Sequence, residues 1–576
     1  MKEVKQYQQH FDHLKQKHSK RNTIFERMEN LYWMNWLEQS KVEKQGRNIK
    51  PTLSPRARNK IKGFTWLLAA SNPEWSVPVD TNRIDVQPVA SKIEQFMKAT
   101  WTSGGRVRKS PIHYDMSLSA GLYAETHLAI TSTKDMLDRA GKDASPGVKG
   151  RLERIHQLTP YTFDVWNPRY GYPEFDTIGL RAFGRMFSLS AQEVVEQWED
   201  GQKVLDSRGR EFDPFEKIDC KLLYTLDKQI VWIDGAERPL FFDNHGLPFI
   251  PVIAQITDGS RLFDNEEDRR EPFLYTLAQS HLPERENLIL TVMFTLAYAL
   301  GTGPLFNYQA IDPDRTLNID KSQPFNVVRT QVGERFDQVA QNIIDPSLLQ
   351  TWQMALDLEE ESTLRGQTLG EPLGQNAPYS MVALLTQAGR LPMVMPQRTL
   401  SWALGEAGEM CIQWLKHDKR TGYASSDELT VILKPEEIPD HVQIKGEIDV
   451  SLPHDQQIAT NIALMGTQGE APLFSNRYAR EVILKIGQSD KMQEEIWSEK
   501  ASALKAQKYF LQQMAEMSQM EQMAMQPGQA SGMPGMPQMQ APVTPPTMPG
   551  VGSAPQVAPE DVSQNPFPPE EPLPPL

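Results

Sequence analysis

The chain has 576 residues, with 60 lysines and arginines against 74 aspartates and glutamates, a formal net charge of −14. The length allows about three or four units of ~150 residues. The acidic balance excludes a protein that grips nucleic acid over a broad basic surface, and leaves open one that lets nucleic acid slide past. Two isolated cysteines, Cys220 and Cys411, exclude a disulfide framework or a zinc cluster and fit a reducing compartment.

The start "MKEVKQYQQHFDHLKQKHSKRN" is too polar for a signal peptide, and residues 5–45 are predicted to be helical. There Ile24, Met28, Leu31 and Tyr32 recur at helical spacing, followed by Trp33, Trp36 and Leu37. Ser54-Pro55 opens a second amphipathic helix, which Asn72-Pro73 stops. A helical stretch over 88–135 carries Ile93, Phe96, Met97 and Trp101 and is expected to break at Gly104-Gly105. From 150 to 257 the apolar period shifts toward two, with turns at Asn167-Pro168, Asp234-Gly235 and Asn244-His245-Gly246. One short helix interrupts this stretch, with Ser190 as N-cap, Glu193 three residues on, and Gly201 past its end.

Residues 271–300 return to helix, with Leu288, Val292 and Leu296 on one face beside Ile289 and Met293, and Pro283 beginning or kinking it. The run "LILTVMFTLAYALG" within it is too short to span a bilayer, so a soluble, cytosolic chain is expected. "PLFNYQ" and "FNVVRTQ" read as strands around the Asp312-Pro313 turn, and helix resumes over 346–365. A Gly/Asn/Pro loop follows. Residues 381–418 then carry the apolar stripe Leu400, Ala403, Leu404, Ala407, Cys411, Trp414 and Leu415. Residues 427–438 read as strand and turn, and 455–525 as mostly helix. From 527 the chain is rich in Pro, Gly, Met and Gln without periodicity, and is expected to be disordered. The fold class is α+β, mainly helical.

No catalytic constellation emerges. "ALGTGPLF" lacks the lysine and the strand-to-helix setting of a phosphate loop. "SLSAG" lacks the first glycine of a serine nucleophile elbow, and the histidines show no metal-ligand spacing. His245 reads as a turn residue. The acids Asp357, Glu359, Glu360 and Glu361 are the best case for a metal-dependent nuclease. Yet only Asp357 and Glu361 stand one helical turn apart, which describes a solvated acidic face. "DNEEDRREP" (264–272) alternates in sign, as exposed segments do. In "SPRARNKIK" (54–62), Arg58 and Lys62 share a face that is either solvated or turned to phosphate or an acidic neighbour; "GRVRKS" (105–110) is a second basic run. No enzyme activity, cofactor or metal is expected.

The order of elements resembles that of the portal (head-to-tail connector) proteins of tailed bacteriophages, especially podovirus-like ones. "TIFERMENLYW" with "RNKIKGFTWLLAASNPEWSV" is similar to the family's opening helices. "YTFDVWNPRYGYPEFDTIGLRAFGRMFSLSAQEVVEQWED" resembles its aromatic wing segment, and "FFDNHGLPFIPVIAQ" the strand leading to the stem. The block 273–418 follows the order stem helix, clip, stem helix, tunnel loop, long wing helix. The resemblance implies a wing region over 1–270, stem helices at 271–301 and 346–365, and a clip-like segment at 302–345. It implies a tunnel loop at 366–380, the long wing helix and strands at 381–454, and a crown-like helical region at 455–526 before the Pro/Met-rich tail, 527–576.

By the same resemblance, subunits would form a ring of twelve at one capsid vertex of a virion assembled in the host cytoplasm. Double-stranded DNA would pass through the ring during packaging and ejection. Partners would be the terminase large subunit, the major capsid and scaffolding proteins, and tail adaptor proteins. Gln367, Gly370, Gly374, Gln375 and Asn376 would line the channel as a pliable neutral loop. Asp357, Glu360 and Glu361 would form an acidic channel face that keeps DNA from adhering. The alternatives are a non-enzymatic virion scaffold or adaptor and, third, the acid-cluster nuclease.

Overall fold

A computed structural model describes residues 2–35, 52–78, 87–140, 145–207, 212–260 apart from 237, 269–301, 306–309, 333, 335–338, 346–361 and 379–448 apart from 428, with short helical pieces between 464 and 514. The chain divides into two units, Met1–Ser489 and Asp490–Leu576. In the second unit the described residues, between 496 and 514, are helical.

The first unit opens with α1 (Lys2–Lys17) and α2 (Ser19–Tyr32), which meet at His18. Helix α3 (Arg56–Leu68) and strand β1 (Glu74–Ser76) follow, then α4 (Gln87–Arg108), α5 (Ile112–Tyr123), β2 (Glu125–Ser132), α6 (Thr133–Arg139) and α7 (Pro146–Leu158). Next come β3 (Tyr161–Trp166), β4 (Gly171–Phe175), β5 (Leu180–Ser190), the short helices α8 (Ala191–Gln197) and α9 (Gly201–Asp206), β6 (Lys217–Thr225), β7 (Lys228–Ile233), β8 (Phe241–Asn244) and β9 (Val252–Ile256). Two-residue strands β10 (Gly259–Ser260) and β11 (Arg269–Arg270) pair with each other. The chain continues through α10 (Tyr275–Ser280), α11 (Leu282–Gly301), the antiparallel pair β12 (Phe306–Gln309) and β13 (Arg335–Gln338), and α12 (Pro346–Glu361). It closes with α13 (Tyr379–His417), the hairpin β14 (Gly422–Ser425) and β15 (Thr430–Leu433), and β16 (Lys445–Glu447), which returns to pair with β1. The fold is α+β and mainly helical.

Strands β4 to β8 form an antiparallel meander in chain order. One face packs Phe183, Leu222 and Val231 against Val194 of α8 and Val204 of α9. The other face takes α1, whose Phe11 meets Tyr172 and Trp232 edge-on at 5.6 and 5.3 Å. Burying Phe11 and Leu14 stabilises the clasp by about 1.5–3 kcal/mol for each side chain. The capping box read in the sequence is present: the Ser190 hydroxyl accepts from the Glu193 amide, and the Glu193 carboxylate accepts from the Ser190 amide.

A second sheet, β3-β2-β9, has β2 at its centre, with Leu128 opposite both Val165 and Ile253. Leu128 and Ile130 enter the largest core with α4, α5 and the C-terminal half of α13, while Ala129 enters the meander's core. Both faces of β2 are therefore covered. The stripe expected on α13, from Leu400 to Leu415, supplies much of that largest core. Close approach of the chain before β16 requires small residues. A Cβ on Gly446 would stand 2.5 Å from that of Leu404, and one on Gly405 would stand 2.6 Å from the Ile444 carbonyl oxygen.

Several expectations are corrected. The stretch 88–135 is not one helix broken at Gly104-Gly105. Helix α4 runs through both glycines, because Gly104 lies against the Phe163 ring where a Cβ would come within 3.1 Å. The break falls at Lys109, whose φ is positive at 62°, and residues 125–132 are strand. The strand-rich part is preceded by helix α7, with Ser145 capping it and Pro146 in its first turn. The partner of "FNYQ" is Arg335–Gln338; "FNVVRTQ" (325–331) lies outside the described residues. The first helical stretch bends at His18 and ends at Tyr32, and 36–45 lie outside the described residues. Pro283 sits in the first turn of α11, after a left-handed His281 that ends α10. Tyr379 and Ser380, placed in the loop, are the first turn of α13.

Candidate assembly site on α11, α12 and α13

Helices α11 and α12 pack on each other and meet the body through α3. Their inward sides are mixed, with Leu356 buried beside Glu359 on α12. Within the chain they bury charged and polar groups: Glu286, Thr291 and Glu359 are 4%, 1% and 4% exposed. Apolar side chains turn outward: Leu288, Val292 and Phe294 on α11, and Leu349, Met354 and Leu358 on α12. On α13, Leu391, Val394 and Met395 are also exposed. Met354 at 65% and Phe294 at 59% are far from any core position. Apolar residues exposed on adjacent helices in this way form a candidate contact surface.

The inward groups are held by the segment entering α3. The Thr52 amide donates to Thr291 Oγ1 at 2.9 Å and the Ser54 amide to Asn287 Oδ1 at 2.7 Å. Lys60 Nζ donates to the Glu359 carbonyl at 3.0 Å and lies 3.6 Å from its carboxylate. The Arg56 guanidinium is 3.8 Å from Glu286 and 4.0 Å from Glu359. Burial lowers the Lys60 ammonium's proton affinity, with Glu359 opposing, and burial together with Glu359 raises that of the Glu286 carboxyl. Of the basic cluster 54–62, Lys60 thus points inward, while Arg58 stacks over the Tyr32 and Trp33 rings at 5.6 and 5.9 Å.

Of the expected acidic face, Asp357 and Glu360 are exposed, and Asp357 accepts from Gln353 Nε2 at 2.9 Å. Glu361 ends α12, and its side chain is outside the described residues, as are Gln367, Gly370, Gly374, Gln375 and Asn376. The acids do not converge: Glu359 is buried against α3 while Asp357 and Glu360 are exposed. Among the described residues there is no group of three or more His, Cys, Asp or Glu that could hold a metal ion. None of their helices is long and apolar enough to cross a membrane. His245 is a turn residue as read: its Nε2–H donates to the Thr225 carbonyl at 3.0 Å and its Nδ1 accepts from the Leu247 amide at 3.2 Å.

A second charge cluster escaped sequence reasoning. Fully buried Glu125 at the start of β2 binds Arg21 at 3.2 Å, Arg270 at 3.0 Å and the His127 Nε2–H at 2.8 Å. Burial alone would raise its carboxyl; Arg270, Arg21 and His127 outweigh that and hold it well below the usual range. Arg21 also donates to the Pro168 and Gly171 carbonyls, so the cluster ties α2, β2, β4 and β11 together. No sequence signal groups residues 21, 125 and 270.

No family model matches the sequence, and no curated protein matches it. Among solved structures, the chain is similar to a chain in the virion of a native gene transfer agent particle, at 10% identity and a TM-score of 0.36 over 79% of this chain and 94% of that one. It is also similar to a chain in the neck of the empty particle computed with C6 symmetry, at 11% identity and a TM-score of 0.37 over 79% and 95%. A third similarity is to a chain in the neck of the native particle computed with C12 symmetry, at 11% identity and a TM-score of 0.31 over 73% and 98%. Similarities at this level do not fix a chain's partners or stoichiometry.

Proposed function

We propose that the chain is a portal-type subunit, assembling as a closed ring of twelve that forms the DNA channel at one vertex of a virion. The apolar residues exposed on α11 and α12 carry this reading. A pair that offers leucines, valine, phenylalanine and methionine to the outside gains stability when neighbouring copies cover that face. Rings are the outcome of repeated head-to-tail contacts that close. The order of helices and strands along the sequence supports the family reading.

In this proposal 271–301 and 346–365 are stems, 302–345 is the clip, and 455–526 a crown-like region. Residues 366–380 meet double-stranded DNA, with Gln367, Gly370, Gly374, Gln375 and Asn376 giving weak reversible contacts beside the acidic Asp357, Glu360 and Glu361. The ring would dock the terminase large subunit, the capsid and scaffolding proteins and the tail adaptors, with no enzymatic step of its own.

Sedimentation velocity and negative-stain imaging of the full chain provide the test. A closed oligomer is expected, and the Met354→Asp, Leu358→Asp double variant should remain monomeric with unchanged circular dichroism. A wild-type chain that stays monomeric at tens of micromolar would remove the ring and favour the adaptor alternative.

A further inference from the structure

The contact between α3 and the α11–α12 pair holds two buried carboxylates, Glu286 and Glu359, on adjacent helices. Their cations serve them unequally. Lys60, nearly buried, belongs to Glu359 through both its carbonyl and its carboxylate. Arg56 is shared, lies beyond hydrogen-bond distance of either acid at 3.8 and 4.0 Å, and has a side chain 38% exposed, so water screens it. The remaining charges around the cleft are otherwise engaged. Arg27 of α2 donates to Glu284 at 2.8 Å and contacts His281 at 2.7 Å, and Glu360 of α12 acts on Lys60. Glu286 therefore bears a buried charge on the wall of a small cavity that Glu359 also lines, with a hydrogen bond from Ser54 and a loose counter-ion.

We propose that Glu286, Glu359, Arg56 and Lys60 form a proton-sensitive latch between α3 and the α11–α12 pair, tightened when Glu286 takes up a proton. A neutral Glu286 keeps its place beside Ser54 and Arg56 while its repulsion with Glu359 disappears. Burial first and Glu359 second raise its proton affinity, against Ser54, Arg56 and Lys60. A raised carboxyl contributes attachment that is complete below its ordinary value of 4.5 and is lost as pH climbs through the raised one. The latch is a property of the single chain and does not rest on the ring reading.

Hydrogen exchange of the full chain, corrected for intrinsic rates, reads the latch at pH 4, 5.5 and 7.5 in peptides from 284–296 and 350–360. Glu286→Gln should protect these peptides at pH 7.5 by about threefold over wild type, with the two converging as pH falls toward 4. Glu359→Gln, which takes the carboxylate from Lys60, should weaken protection at all three values. Peptides from β6 and β7 should not change in either variant. Glu286→Gln protection equal to or below wild type at pH 7.5, or an unchanged pH dependence, overturns the latch. Both variants loosening alike would do the same, since the cluster would then be an ordinary set of ion pairs.

Discussion

His18 occupies the junction of α1 and α2, 2% exposed, with its Nε2–H donating to the Pro173 carbonyl at 2.9 Å. Burial, and then Arg21, lower its proton affinity from an ordinary 6.5 to about 3, while Glu125 opposes. The folded chain thus keeps His18 neutral through a range where the unfolded chain protonates it. A depressed value contributes stability that is present above pH 6.5 and drains away as pH falls toward 3. At pH 4.5 the loss from this one group is about 2.7 kcal/mol, two units at ~1.36 kcal/mol each. His18→Gln keeps a donor for Pro173 and has nothing to titrate. Urea unfolding at pH 7, 5.5 and 4.5, followed by fluorescence, should show wild type losing about 2–3 kcal/mol more than the variant between the extremes. His113 and His127, which burial also depresses, act in both proteins and cancel in the comparison. Parallel pH curves for the two would refute the reasoning, because they would mean that His18 is protonated in the folded chain or that the α1–α2 junction opens before the rest unfolds.

Glu125→Gln leaves the buried guanidiniums of Arg21 and Arg270 without their carboxylate and should cost about 3–5 kcal/mol, read as a lower urea midpoint. Gly446→Ala drives a Cβ into Leu404 and the Ser401 carbonyl and should cost about 1–3 kcal/mol, with exchange rising first in β1 and β16. Replacing Gln367, Gln375 and Asn376 together by Lys should leave rings intact and stall DNA packaging or ejection, eased by higher salt. Normal packaging and ejection by verified rings would show that 366–380 does not meet DNA.

Most of the helices were legible because each shows water one face, and the meander because turn residues punctuate its strands. The stripe on α13, the Ser190–Glu193 box and the turns of the meander follow from such signals. Strand β2 was not legible, since Leu128 and Ile130 serve one core and Ala129 another, which erases the alternation that marks a half-buried strand. Gly104-Gly105 read as a break because glycine in a helix has two meanings, a stop or a close approach, and only the position of Phe163 separates them. For the candidate site, helical spacing separated Glu359 from Asp357 and Glu361. That its side was the buried one depends on Lys60, 299 residues away in sequence. Pairing at that distance leaves no local trace.

The two-stranded sheet of β1 and β16 joins Glu74–Ser76 to Lys445–Glu447, so nearly everything between them is, topologically, one long closed loop. Within that loop the chain leaves the largest core near Phe273 and re-enters it at Met393. The stretch that carries α11 and α12 is thus a detour with both ends anchored in the same place. The entropy of closing such a detour grows only with the logarithm of its length, about 0.6 kcal/mol for each doubling. Lengthening the connection between α11 and α12 should therefore disturb the body far less than a single methyl group at Gly446. An engineer seeking to insert a reporter or to change the reach of these helices would cut there, and would leave the seam at residues 74–76 and 445–447 untouched.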